Sequence, residues 1–318
     1  MARKMIALTV VSAALFGGSL ACESAFAAPP GPAANPVIVY LNRDGAIEVA
    51  NVDGSAKTVL RTNGSNRRPT WAPGGDGTTL NPWHIVYEYT ICNQLKQFTL
   101  VKTNSGGLTA GSDVDISTSF AGQACAVDIS PVADRLVFGE GPTEPGFLPS
   151  SLWTMNVNGG SEFDVKDAPD GSTITWATYN SDGTKIAFAI DGPSSSSIET
   201  IDSNGANLAP VLSTGGRFLE WSPDGHFLAF SAGGGSSVEG VYILDMITPG
   251  STPVRLVSGS GATWSADNSQ LAFNATTGVS VIDISTHKIT SLVKGAHHPK
   301  FRNANMGSVT PALLSASK

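Results

Sequence analysis

The sequence predicts an all-β fold, a six-bladed β-propeller made of four-stranded antiparallel blades. Three observations predict it. An apolar triplet recurs six times along the chain, and a strand signal rich in tryptophan precedes most of the copies. The 318 residues also include 35 glycines and 19 prolines but only 14% charged residues, a composition that favours short strands and turns over long helices.

The apolar triplet marks the second strand of each blade. Each copy ends in an aromatic residue, and these aromatics recur at intervals of 42 to 51 residues, a period typical of repeat folds. Large residues on one face and Ala or Val on the other indicate a strand that is buried on both sides. The six copies are Ile38-Val39-Tyr40, Ile85-Val86-Tyr87, Leu136-Val137-Phe138, Ile186-Ala187-Phe188, Leu228-Ala229-Phe230 and Leu271-Ala272-Phe273.

An inner-strand signal stands before each of the last five triplets. Turn formers such as Pro223-Asp224-Gly225 separate the signal from the triplet, as a tight reversal requires. We expect the tryptophans of four signals to hold equivalent positions in the cores of their blades, rather than to stack on a sugar in the channel. These tryptophans are Trp71, Trp176, Trp221 and Trp264.

Two further strands follow each triplet. The third strand ends in a polar turn, as at Val241 to Asp245, and the fourth is an edge strand, as at Ile289 to Val293. Four strands in a unit of about 45 residues is the plan of a propeller blade.

The two ends of the chain complement each other. The triplet at Ile38 has no inner strand before it, and the inner-strand candidate Pro299 to Arg302 has no triplet after it. With Phe301 in the position of a blade tryptophan, residues 297 to 303 join strands 37 to 61 and complete the sixth blade. The last blade is then shared between the N- and C-terminal strands, and the ring has no open sheet edge.

The stretch from Trp221 to Phe230, a WSPDG turn followed by an LAF strand, resembles the repeat of the TolB-like six-bladed propeller family. The resemblance covers residues 37 to 303, although Ile129 replaces a tryptophan and residues 74 to 81 are an insertion. We expect the propeller alone, without the family's N-terminal α/β domain. The resemblance implies that a partner protein or segment docks on the channel face where the inner strands begin.

The N-terminus has the pattern of a secretory signal. Arg3 and Lys4 precede the apolar stretch Met5 to Leu20, and Ala25-Phe26-Ala27 is a small-residue cleavage site. An uncleaved anchor is the alternative, which the Gly17-Gly18-Ser19 interruption disfavours. We therefore predict a periplasmic or secreted, soluble monomer, divided into a signal peptide (1–27), a short linker (28–36), the propeller (37–303) and a flexible tail (304–318).

Charge and cysteine content narrow the choice of partners. The formal net charge is −7, and it becomes more negative after signal removal, so we predict neither nucleic-acid binding nor membrane insertion. Cleavage leaves Cys92 and Cys125. In an oxidising compartment these two form one disulfide, or they remain buried free thiols, and neither alternative gives them a catalytic role.

Motifs for catalysis are missing from the sequence. It contains no GxSxG elbow, and the five histidines include no HExxH pair. Asn51 to Ser55 resembles the start of an EF-hand loop, but Thr62 stands where that loop needs Glu. We therefore predict no catalytic residue, metal or cofactor.

Binding is the remaining function, and the segments that lead into the inner strands supply its candidate residues. The predicted partner is another envelope or extracellular protein or peptide, held by a non-enzymatic scaffold. The alternative is a propeller-fold polysaccharide lyase or hydrolase with a metal held by His297, His298 and a carboxylate such as Asp128. The candidate partner-binding residues are Arg67, Arg68, Gln123, Arg217, His297 and His298.

Overall fold

The computed structural model describes residues 37–302, except for residues 63, 91–93, 117–122, 133–134, 142–149, 158 and 234–238. The predicted signal, linker and tail lie outside the described residues. The described part of the chain is all β, and it contains no helix that could span a membrane.

The strands form six antiparallel sheets, each a blade of four strands. Blade 1 holds β4 (Asn66–Trp71), β5 (Trp83–Tyr89), β6 (Gln94–Lys102) and β7 (Leu108–Ala110), and β8 (Val114–Asp115) also pairs with β6. Blade 2 holds β9 (Gln123–Ile129), β10 (Arg135–Gly141), β11 (Ser151–Asn156) and β12 (Phe163–Asp167). Blade 3 holds β13 (Thr173–Tyr179), β14 (Lys185–Asp191), β15 (Ser196–Asp202) and β16 (Ala209–Leu212).

The remaining blades follow the same plan. Blade 4 holds β17 (Arg217–Trp221), β18 (Phe227–Ala232), β19 (Gly240–Asp245) and β20 (Val254–Ser258). Blade 5 holds β21 (Ser260–Trp264), β22 (Gln270–Ala275), β23 (Gly278–Asp283) and β24 (Ile289–Lys294). Blade 6 joins β25 (His297–Phe301) to β1 (Ile38–Leu41), β2 (Ile47–Ala50) and β3 (Thr58–Arg61). The predicted six-bladed propeller is confirmed.

Apolar layers between neighbouring blades form the core. The six aromatics that end the triplets are each 2% exposed or less, because the second strand of every blade is covered on both faces. Between blades 6 and 1, for example, Val39 and Val49 pack in one cluster with Trp71, Ile85 and Phe98. The burial of these layers, rather than a central core, stabilises the ring.

The predicted closure of the sixth blade is also confirmed. Strand β25 pairs with β1, with Ile38 opposite Phe301, and the Arg302 backbone N–H donates to the Val37 carbonyl at 2.7 Å. Strand β25 also contacts the inner strands on either side, β21 and β4. The C-terminal strand therefore completes both the sixth sheet and the ring of inner strands.

Trp176 does not occupy the position that the sequence analysis assigned to it. Seven residues separate Trp221 from Leu228 and Trp264 from Leu271, and the residue with this spacing before Ile186 is Tyr179. Tyr179 accordingly ends strand β13, as Trp221 and Trp264 end theirs, whereas Trp176 lies three residues earlier. The equivalence predicted for Trp176 is wrong, because β13 continues past its tryptophan before it turns.

Closure predicts a sharp difference between two truncations. We expect a chain ending at Ala296 to lose its cooperative thermal transition, or to melt more than about 10 °C lower, because β1 loses one of its two partner strands and Phe301 leaves the core. A chain ending at Met306 keeps every described strand and should melt like the full chain. Thermal unfolding followed by circular dichroism checks this, and equal melting of both truncations would contradict ring closure by β25.

Candidate functional site at the channel mouth

Six side chains meet in a ring inside the channel. Each comes from the next-to-last residue of an inner strand, so the blades place them at equivalent positions around the axis. Charged residues and threonines alternate in this ring, which we call the floor. The floor residues are Thr70, Asp128, Thr178, Glu220, Thr263 and Lys300.

Lys300 connects the charged members of the floor. Its Nζ lies 3.1 Å from Asp128 Oδ1 and also bonds Glu220 Oε2, and all three side chains are 17% exposed or less. The three residues come from blades 6, 2 and 4, so one ammonium links three separate sheets. A buried ion pair is stable only if the attraction and hydrogen bonds between its members offset the cost of removing them from water.

The threonines complete the hydrogen bonding of the two carboxylates. Thr178 Oγ1 donates to Asp128 Oδ2 at 2.9 Å, and the Tyr179 backbone N–H donates to the same oxygen at 3.2 Å. Thr263 Oγ1 donates to Glu220 Oε1 at 3.1 Å. The third threonine, Thr70, is 4% exposed, and its Oγ1 is buried without a hydrogen-bond partner among the described residues.

Burial and mutual attraction set the protonation of the floor. Burial alone would lower the pKa of Lys300, but the attraction of Asp128 and Glu220 outweighs it and holds this pKa above its usual range, so Lys300 stays charged. Burial raises the pKa of Glu220, an effect that Lys300 opposes and Asp128 reinforces. The floor therefore holds one cation between two carboxylates.

A cavity of about 90 Å³ lies on one side of the floor, toward the channel end where the inner strands begin. We call this end the upper mouth. The cavity wall includes one residue from each inner strand, three positions before the strand's last residue. These wall residues are Arg68, Ala126, Trp176, Phe218, Gly261 and His298.

A β-bulge in every inner strand accompanies this wall. The pairing register shifts in all six strands, and five wall residues have positive φ, the exception being Trp176. An extra residue in one strand kinks it and re-aims a side chain. The bulges therefore bring side chains to the channel that a regular strand would direct elsewhere.

Aromatic and cationic groups of the wall contact one another. The rings of Trp176 and Phe218 are 4.2 Å apart between centroids, and those of Phe218 and His298 are 6.3 Å apart. Arg68 places its guanidinium carbon 4.1 Å from the centre of the Trp176 ring, and its Nη1 lies 3.1 Å from Glu88 Oε1. The two small wall residues, Ala126 of blade 2 and Gly261 of blade 5, lie between these larger ones.

The structure brings only some of the predicted partner-binding residues to this cavity. Arg68 and His298 line it. Arg217 begins its inner strand and pairs with Glu239 at 3.7 Å, and Arg67 bonds the carbonyls of Gly64 and Asn66. Gln123 begins β9, but its side chain lies outside the described residues. Partner binding by these residues stays a prediction.

The histidine pair does not assemble the metal site considered from the sequence. The rings of His297 and His298 are 5.0 Å apart, and Asp128 is engaged by Lys300, Thr178 and Tyr179. Within the described ranges, no group of three or more His, Cys, Asp or Glu side chains is placed to hold a metal ion. Burial and the positive charges of His297, Arg68 and Arg67 lower the pKa of His298 to about 3, so His298 is neutral near pH 7.

Several site residues were not assigned to the site from the sequence. Trp176 was placed in a blade core, and Phe218, Glu220 and Lys300 were given no binding role. The seven-residue spacing to the triplet would have found Trp176, Phe218 and Glu220, because it aligns the inner strands of blades 2 to 5 at their last residues. Lys300 follows the last triplet and stands one residue before Phe301, which holds the tryptophan position of its blade. With Trp71 and Phe301 added to the aligned last residues, the next-to-last column reads Thr, Asp, Thr, Glu, Thr, Lys.

A smaller cavity of about 40 Å³ lies on the other side of the floor, lined by Thr178, Tyr179 and Trp221 among others. Asp128, Glu220 and Lys300 line both cavities. The floor therefore divides the channel into two compartments.

The cysteine prediction is only partly within the described residues. Cys125 is buried in β9 and is disulfide-bonded. Cys92 lies outside the described residues, so its pairing with Cys125 stays a prediction.

Comparison with solved structures supports the fold. No known protein family matches the sequence, and no curated protein does. The chain is similar to TolB from Acinetobacter baumannii, with 15% identity and a TM-score of 0.60 over 86% of this chain and 68% of that chain. It is also similar to a chain of a nidogen/laminin complex, with 9% identity and a TM-score of 0.62 over 84% and 98% of the two chains.

A third similar structure is an oligogalacturonate lyase in complex with manganese, with 13% identity and a TM-score of 0.53 over 83% of this chain and 76% of that chain. At these identities the similarity is one of fold. It agrees with a TolB-like six-bladed propeller, and it does not choose between binding and catalysis.

The floor makes a prediction about stability. We expect Lys300→Met to lower the free energy of unfolding by about 3–5 kcal/mol, because it leaves two buried carboxylates without their cation. Urea unfolding at pH 7 measures the change. The triple variant Asp128→Asn, Glu220→Gln, Lys300→Met is the control, and it should recover much of the loss because no buried charge remains. A single variant as stable as the wild type would show that the ion pairs are dispensable.

Proposed function

We propose that this chain is an exported, non-enzymatic propeller that binds a protein or peptide of the cell envelope or extracellular space at its upper mouth. One observation carries the proposal: a wall to which all six blades contribute, with aromatic or cationic residues from four of them, surrounds a cavity that ends on the floor. Arg and aromatic residues are the side chains that most often dominate binding energy at protein interfaces.

The state of the floor supports binding over catalysis. Asp128 accepts three hydrogen bonds, and Lys300 is held as an ammonium between two carboxylates. Groups that satisfy one another so fully are poor donors or acceptors of protons to a substrate. The floor acts instead as a rigid base for whatever enters the mouth.

Export is part of the proposal, and the first 27 residues support it. Arg3 and Lys4 precede an apolar stretch and a small-residue cleavage site at Ala25-Phe26-Ala27. A disulfide at Cys125 fits the oxidising compartments that exported proteins reach.

Site-specific photo-crosslinking in living cells tests the proposal. A crosslinking residue at Arg217, whose side chain is 55% exposed at the upper mouth, should capture a discrete envelope protein or peptide. The matched control position is Asp182, exposed in the turn at the opposite end of β13, and it should capture none.

The capture should also depend on the cavity wall. We expect Trp176→Ala to lower the yield of the Arg217 adduct at least about tenfold, as for a residue central to an interface. Arg68→Gln is a milder variant that keeps the wall filled, and it should lower the yield as well. Equal capture from Arg217 and Asp182, or capture indifferent to both wall variants, would contradict docking at the upper mouth.

The second candidate function is a polysaccharide lyase or hydrolase with a metal near the channel. Two observations favour it. Burial raises the pKa of Glu220 beside the cavity, as for a general acid, and an oligogalacturonate lyase bound to manganese has a similar fold. His297 and His298 would be the metal ligands in this case.

Elemental analysis separates the two candidates. Under the binding function, we expect full-length protein produced with added manganese and then dialysed to retain far less than one equivalent of metal. Inductively coupled plasma mass spectrometry gives the content. One equivalent that disappears in the His297→Ala, His298→Ala double variant, but persists in a His226→Ala control, would favour the enzyme.

A further inference from the structure

The charges and polar groups that line the upper cavity favour one class of ligand over others. We propose that it binds an uncharged amide, the side chain of an Asn or Gln in the segment that docks at the mouth. This inference rests on the proposed function, because it names the group that the docked segment inserts.

The walls of the cavity oppose a charged group. Trp176, Phe218, Leu219 and Ala262 line much of its surface. Moving an ion from water into such surroundings costs far more free energy than moving an amide, unless an opposite charge inside the cavity pairs with it. The charged residues of the cavity lie at its two ends, the floor and the opening.

Each end opposes one sign of charge. At the floor, Asp128 and Glu220 outnumber Lys300, so an entering carboxylate meets an excess of negative charge. At the other end, the rim of the opening, the guanidinium of Arg68 carries positive charge beside the cavity. Burial, with the charges of His297, Arg68 and Arg67, lowers the pKa of His298, so a further cation at this end is also disfavoured. A neutral dipole avoids both penalties, with its N–H₂ toward the floor and its carbonyl toward the rim.

Polar groups on the cavity lining are available to bond an amide. Among the described residues, Thr70 Oγ1 and His298 Nδ1 are buried and unpartnered, and both residues line the cavity. An ammonium has three N–H donors, and the carboxylates occupy two of those on Lys300. The Thr70 hydroxyl and the neutral His298 imidazole can each donate or accept a hydrogen bond. An amide can pair with both, because its N–H₂ donates and its carbonyl accepts.

The size of the cavity limits the ligand to one side chain. A volume of about 90 Å³ is smaller than the roughly 150 Å³ cavity that holds a benzene molecule. A fragment of about four or five non-hydrogen atoms fits such a space, and this is the size of an Asn or Gln side chain. The peptide backbone would remain outside, across the rim.

Three small molecules of equal size test the preference. Propionamide, propionate and butylammonium each have five non-hydrogen atoms and differ in charge. Each is titrated into the full chain, and binding is read from the indole ¹H–¹⁵N signal of Trp176, which is assigned by its loss in Trp176→Phe. We expect a saturable shift with propionamide at a Kd on the order of 10 mM, and binding of the two ions at least about tenfold weaker.

Two matched threonine variants locate the amide. Thr70→Val should weaken propionamide binding about tenfold, because the unpartnered hydroxyl is lost while the shape is kept. Thr58→Val removes another hydroxyl that is buried and unpartnered among the described residues, but in the edge strand β3 of blade 6, and it should leave the Kd unchanged. Binding of either ion as tight as that of propionamide, or equal effects of the two variants, would overturn the inference.

The outcomes distinguish this inference from the proposed function. If propionamide leaves the Trp176 signal unmoved while capture through Arg217 still requires Trp176, the amide preference is wrong and docking stands. If propionamide binds as expected but no partner is captured, docking of a protein segment is wrong and the cavity serves a free small molecule.

Discussion

The bond between Lys300 and its two carboxylates is the constraint on which the rest of the structure depends. Six inner strands converge at the axis of the propeller, where the apolar layers between blades no longer extend. Other side chains must fill this space. Here an ammonium from the closing strand bonds to Asp128 of blade 2 and Glu220 of blade 4. The intervening blades contribute threonines, two of which donate to those carboxylates. The axis is thereby filled without an unpaired charge.

The cavity above the floor results from the unequal sizes of the six wall residues. The six wall positions are equivalent in the repeat, yet they hold four large residues and two small ones. Gly261 is needed where it stands, because a Cβ there would lie 2.5 Å from the Asn274 side-chain nitrogen and its φ is +61°. Six large residues would fill the upper mouth, and six small ones would leave a wide opening with little surface to contact a ligand. The mixture leaves a cavity in which Trp176 and Phe218, from neighbouring blades, give one side an aromatic surface.

The fold was predictable from the sequence because its signals are local and repeated. The triplets and the turns recur with similar spacing, so one imperfect copy does not hide the pattern, and the two ends of the chain complement each other. The position of Trp176 was predicted wrongly because residue type was weighed above spacing. Contacts across the channel were harder to foresee. The pairing of Lys300 with Asp128 joins residues 172 positions apart, and no local pattern indicates which of the aligned side chains bond to each other across the axis.

That separation along the chain bears on how the molecule is made. The residues that close the ring, His297 to Phe301, are synthesised after every other described strand, and Lys300 is among them. Blades 1 to 5 can pair internally as they emerge, but until the last strand arrives β1 keeps a bare edge and two carboxylates lack their cation. The native ring therefore cannot close until β25, the last of the described strands, is available to pair with β1.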